Sequence, residues 1–164
     1  MRRAFLVIIC GVLLLGAGPP KTFVARAERA VDGDTITFPQ GSCRLVGIDA
    51  PEITHGAKVG QPWAREAMMA LEGMLGMGPA TVLVFGLDRY GRMLCAVFDA
   101  QGYLVNLVLV ESGLAETYLL EKAPFAAGLR QAEERAKRDK RGLWSQPSPE
   151  RPADYRRRMK MGAE

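Results

Sequence analysis

Two hydrophobic periods divide the chain. Some short stretches alternate apolar and polar residues or are dense in β-branched side chains, the mark of strands; longer ones repeat apolar residues three and four apart, the mark of helices. Residues 23–31 read as a first strand and Thr35-Ile36-Thr37-Phe38 as a second, joined through Asp32-Gly33, a dipeptide that favours a tight hairpin. Pro39-Gln40-Gly41 is the next turn. Residues 43–48 read as a third strand, apolar on both faces except at Arg44, as expected of a strand covered on both sides. Residues 81–85 and 92–98 read as a fourth and a fifth, linked by Gly86-Leu87-Asp88-Arg89-Tyr90-Gly91.

Helical spacing appears three times. Trp63, Ala67, Ala70, Leu71 and Met74 follow Pro62, a residue tolerated in a first helical turn, and the pattern stops at Gly76 and Gly78-Pro79. A short helix with Asn106 as its cap ends at Gly113. A longer one over 124–141 carries Phe125, Leu129, Ala132 and Ala136 on one face, and Trp144 just beyond Gly142 is placed to fold back onto the core. The expected fold class is α+β, mainly β: a five-stranded OB-type Greek-key barrel with about three helices. Such barrels commonly bind nucleic acid, but strand order alone does not separate a binder from an enzyme.

The two ends change the picture. Met1-Arg2-Arg3 and the apolar run to Ala17 have the charged and hydrophobic regions of a secretory signal and are short for a membrane span. Residues 1–20 are therefore expected to be a signal peptide, with an uncleaved membrane anchor as the alternative, and the domain is expected to be exported to the periplasm or secreted. Residues 22–146 form the domain; residues 147–164, rich in proline, arginine and other polar residues, are expected to be a mobile, disordered tail. The chain has 22 Lys and Arg against 18 Asp and Glu, a net charge of +4, and part of that excess lies at the two ends. Affinity for an anionic partner must then come from local placement of charge.

The densest chemistry lies between residues 32 and 52. Asp32, Asp34, Asp49 and Glu52 share this span with Arg44, among residues that are otherwise mostly apolar, and buried charge of that density is costly unless paired or metal-bound. Asp32 equally serves the hairpin turn, and the acids at the strand end equally serve as solvated side chains. Taken jointly, two strand-end aspartates and a nearby carbonyl supply the hard oxygens that a divalent cation such as calcium takes. Glu52 then stands where it can act on a nearby water as a general base. Arg44 and Arg92 either pair with barrel carboxylates or offer forked guanidiniums to a phosphate as charge builds on it. Arg89 and Tyr90 are candidate contacts to a nucleic-acid backbone or base. His55, the single histidine, lies in the polar loop 54–60 and reads as a surface residue; no Cys-x-x-Cys pair or Cys/His cluster points to zinc. Cys43 and Cys95 fall on the third and fifth strands, neighbours in an OB-type barrel. A disulfide and two buried thiols both fit.

In these motifs the chain resembles the staphylococcal nuclease family over about residues 23–145. The motifs are Asp-Gly-Asp-Thr at 32–35, Arg-Leu-Val-Gly-Ile-Asp-Ala-Pro-Glu at 44–52, Tyr-Gly-Arg at 90–92, Gly-Leu-Ala at 113–115 and Trp-Ser at 144–145, in the family's order. The resemblance implies Asp34, Asp49 and the main-chain carbonyl of Ala50 as calcium ligands, with Asp32 in the outer shell. It implies Arg44 and Arg92 at the scissile phosphate, Glu52 as general base, and Tyr118 and Lys122 near the substrate. The implied reaction is calcium-dependent hydrolysis of DNA and RNA to 3′-phosphate products by a monomer. Ala50 stands where the type member has threonine, which keeps the carbonyl, and the segment 116–120 is shorter than its counterpart. The alternatives are a noncatalytic OB-fold nucleic-acid-binding domain and a membrane-tethered interaction domain.

Overall fold

Alternating burial along Thr35–Phe38 and Gly41–Leu45 turns Ile36, Phe38, Cys43 and Leu45 inward, and these residues start the core. The structure is a computed structural model that describes residues 20–54 and 59–161, so the N-terminal apolar run and His55 lie outside the described residues. Its elements are β1 (Lys21–Ala25), β2 (Arg29–Ala30), β3 (Thr35–Phe38), β4 (Gly41–Leu45), β5 (Ile48–Asp49), α1 (Ala64–Gly76), β6 (Ala80–Leu87), β7 (Met93–Phe98), α2 (Val105–Glu111), β8 (Glu116–Thr117), α3 (Ala126–Arg138) and α4 (Pro152–Met161). Short 3₁₀ turns at Leu120–Lys122 and Gly142–Ser145 flank α3.

The main sheet has the order β1-β6-β7-β4-β3-β2. Its edge strands, β1 and β2, follow one another in the chain with only residues 26–28 between them, so the sheet curls back on itself as an OB-type barrel. They are two halves of the expected first strand, one paired with β6 and the other with β3. Phe23 on β1 meets Phe38 on β3 edge to face, with ring centroids 5.7 Å apart, across the curl. Strands β4 and β7 pair in parallel, which brings Cys43 and Cys95 together; their α-carbons are 6.0 Å apart and the two are joined as a disulfide.

Three departures from the sequence reading have physical causes. The expected third strand is divided by Gly47, whose φ of +81° suits glycine, and the far piece, β5, leaves the barrel to pair with β8. Asn106 is not a cap. Leu104 takes that position, and the Asn106 side chain is buried between α2 and the sheet. There its Nδ2 donates to Val46 O (2.9 Å) and Cys95 O (3.1 Å), and its Oδ1 accepts from Val97 N–H (3.1 Å). The third departure is α4, a fourth helix where a mobile tail was expected. Pro152 opens it, Asp154 lies in its first turn and Arg158 and Lys160 in its last, a charge order that favours the helix dipole. Helices α1, α2 and α3 bury Leu71, Leu109 and Leu129 against the barrel in one continuous core.

Candidate active site

The hairpin between β2 and β3 is set by its own side chains. Asp34 N–H donates to Asp32 Oδ1 (2.9 Å) and Val31 N–H to Thr35 O (2.8 Å), which closes the turn and aims the Asp34 carboxylate inward. Gly33 lets this turn seat closely: a Cβ there would lie 2.7 Å from the Cβ atoms of both Ala50 and Ala67. The end of β5 is fixed in return, because Ala50 N–H donates to Asp34 Oδ2 (2.8 Å). Asp34 and Asp49, far apart in the motif, thereby become neighbours.

Both carboxylates are buried, at 2% and 0% exposure, so each needs a compensating charge. Arg44 supplies it to both: Nη1 contacts Asp34 Oδ1, and Nη2 reaches Asp49 Oδ1 at 2.6 Å. Arg92 is anchored to Asp88, its Nε donating to Oδ2 at 2.8 Å and its backbone N–H to Oδ1 at 3.0 Å. The pairing alternative for these two arginines is thus realised in the structure. Arg92 differs in that neither Nη has a partner among the described residues, and its guanidinium lies 5.5 Å over the Tyr90 ring. Arg89 donates to Tyr90 Oη (2.7 Å) on the same rim.

Arg44, Asp88, Arg89, Tyr90 and Arg92 line one cleft of about 630 Å³, and the buried Asp34 and Asp49 are not part of its lining. Asp32, Arg44, Glu52, Arg89, Tyr90 and Arg92 form one part of its wall, and Tyr118 and Lys122 the other. Tyr118 is held there by its N–H, which donates to Gly47 O (2.9 Å). Burial pushes the Asp32 carboxyl above its ordinary value, opposed by the nearby Arg44 charge and by hydrogen bonds from Thr35. Burial acts the same way on Asp88, but hydrogen bonds from Arg92 and Tyr90 outweigh it and hold that carboxyl low.

The sequence reading missed Arg156 on α4. Its Nη1 reaches Asp49 Oδ1 (3.1 Å) and Glu52 Oε1 (2.5 Å), and its Nη2 reaches Asp49 Oδ2 (2.7 Å). Burial lowers the Arg156 pKa, but the bonds to Asp49 and Glu52 more than reverse this, so the group is held charged. Lys160, one turn on, joins the cleft wall. Below them, Arg151 Nε donates to both oxygens of Glu116 at 3.1 Å. Burial raises the Glu116 pKa to about 7 against the opposing charge of Arg151.

The donor set fits a hard divalent cation in kind, since every candidate ligand is an oxygen of Asp34, Asp49 or the main chain. Among the described residues no three His, Cys, Asp or Glu side chains converge as an ion site. A cation here would take two carboxylates and complete its shell with carbonyl oxygen and water.

An OB-type barrel with a cleft of paired acids and phosphate-sized guanidiniums defines a protein built to act on phosphodiesters. The family model for staphylococcal nuclease homologues matches residues 42–146, and the chain belongs to that family. It is 35% identical over 137 residues to an uncharacterized endonuclease of Escherichia coli O157:H7, covering 81% of this chain and 84% of that protein. It is 30% identical over 161 residues to a micrococcal nuclease of Shigella flexneri, covering 91% and 89% of the two chains. A probable endonuclease, LCL3, of the fungus Phaeosphaeria nodorum is 31% identical over 134 residues, 70% of this chain and 45% of that protein. The chain is a nuclease, a hydrolase that acts on nucleic acid. The matched region stops short of α4.

Proposed function

We propose that this nuclease is a calcium-dependent endonuclease that cuts both DNA and RNA, leaves 3′-phosphate ends, and works after export. The observation that carries the reading is a pair of buried carboxylates, Asp34 and Asp49, both bound by Arg44, which itself lines a cleft together with Arg92, Arg89 and Lys122. Calcium held by Asp34, Asp49 and the Ala50 carbonyl would supply positive charge at the phosphate and an ordered water.

The chain's own residues do the rest. Arg92, fixed through Nε, offers both Nη groups to the non-bridging oxygens of the phosphate. Arg44 adds its charge from below. Glu52 takes a proton from water as the water oxygen bonds to phosphorus, and the bond from phosphorus to the 5′ oxygen breaks; that oxygen takes a proton from solvent, leaving a 3′-phosphate and a 5′-hydroxyl. Tyr90 and Tyr118 give the cleft aromatic faces on which bases can stack without regard to sequence or sugar. The Cys43–Cys95 disulfide and the charged and apolar first residues support export.

Plasmid DNA and total RNA incubated with the protein in calcium, and then in excess chelator, test this. Expected are loss of both activities with chelator and fragments that a polymerase extends only after phosphatase treatment. Undiminished cleavage in chelator overturns the calcium reading, and directly extendable fragments overturn the bond assignment.

A further inference from the structure

We infer that helix α4 is an autoinhibitory latch: Arg156 occupies both Asp49, a ligand of the divalent cation, and Glu52, the base, and cation binding releases it. This rests on the reading of Asp34 and Asp49 as cation ligands. Asp49 Oδ1 accepts from Arg44 and Arg156, and Oδ2 accepts from Arg156. With two guanidiniums within hydrogen-bond reach, a dication would meet occupied oxygens and two positive charges. The same Arg156 Nη1 also occupies Glu52 Oε1, the atom that would take the proton from water.

The latch is built to let go. Of α4 only Pro152 and Tyr155 are buried. Its other ties are polar: Tyr155 Oη donates to Val59 O (2.5 Å), Gln61 Nε2 donates to Glu150 O (2.8 Å), and Arg151 pairs with Glu116. Arg151 and Arg156 keep 57% and 35% of their side-chain surface in solvent, where ion pairs are screened and individually weak. An open hollow of about 380 Å³ is lined by Val59 and Pro62 on one segment and by Tyr155 and Met159 on α4, among others.

Calcium titration by calorimetry of the full-length protein, Arg156→Gln and Arg158→Gln tests the latch. Arg158 pairs with Glu150 and lies 5.2 Å over the Tyr155 ring, with no bond to Asp49 or Glu52 among the described residues, and provides the control for charge. Arg156→Gln should bind calcium about tenfold more tightly or better, the scale of releasing a partly exposed ion-pair network, and Arg158→Gln should match the parent. Hydrogen exchange of the unaltered protein supplies a readout independent of the variant's folding: amides of residues 152–161 should lose protection when calcium is added. Unchanged or weaker calcium binding in Arg156→Gln, with Asp49→Asn abolishing it, overturns the latch and leaves the cation reading standing. So does undiminished protection of the helix in saturating calcium. No calcium binding by the parent or by Arg156→Gln overturns both.

Discussion

Arg92 and Arg44 look alike in the sequence and carry different burdens. Arg92 is one-third exposed and its single acid partner lies at the cleft edge, so its ion pair adds at most about 1 kcal/mol to stability. A lysine there keeps a positive head but loses the two-point donor. Arg92→Lys is therefore expected to lose about 100- to 1,000-fold in turnover at saturating DNA, with its thermal midpoint nearly unchanged. Turnover near that of the parent would make Arg92 a structural residue. Arg44 instead balances two buried carboxylates, and Arg44→Lys should cost stability as well as turnover. Asp34, Arg44, Asp49 and Glu52 were legible as a candidate cluster because they fall in two motifs, 32–35 and 44–52, close enough in the chain for strand ends to bring them together. Arg156 was not, because it reaches Asp49 across 107 residues from a segment whose composition reads as solvated. The signal that could have found its helix was the order Pro152, Asp154, Arg158 and Lys160.

At the scale of elements, strand periodicity identified the barrel, and apolar spacing identified the buried faces of α1 and α3, because both patterns are local. What it could not give was the partner of a buried polar group. Asn106 fits the rule for a helix cap, yet it stitches α2 to β7 and to the β4–β5 bend through three bonds to backbone groups, two of which, Val46 O and Val97 N–H, the sheet leaves unmade. Replacing it by alanine strands the Val46 carbonyl and the Val97 N–H in the core, while Cys95 O keeps its bond from Val46 N–H (2.9 Å). At about 1–3 kcal/mol for each unsatisfied group, Asn106→Ala should lose at least about 2 kcal/mol in urea unfolding at an unchanged denaturant slope. A loss below about 1 kcal/mol would mean that the backbone finds other partners. The β5–β8 pair was invisible for a related reason: two-residue strands carry no period, and only the turn at Gly47 reveals that β4 has ended.

For the whole molecule, the tail returns positive charge to acids that the barrel buries. Arg156 answers Asp49 and Glu52, and Arg151 answers Glu116, which lies opposite Asp49 in the β5–β8 pair. The second pairing is incomplete, because burial outweighs Arg151 and raises the Glu116 pKa from 4.5 to about 7. Between those values the folded protein holds a proton that the unfolded chain has released, so stability falls as pH rises through the window. The contribution is fully present below pH 4.5 and is lost as pH passes about 7. The shift caps the effect at about 3 kcal/mol. Glu116→Gln keeps the shape and removes the titration. Measured by urea unfolding without added divalent cation, the stability of Glu116→Gln relative to the parent should climb between pH 4.5 and 7 and level off above. A difference that stays flat across that range would show that Arg151 compensates Glu116 fully and that the acid is ionised in the folded protein throughout.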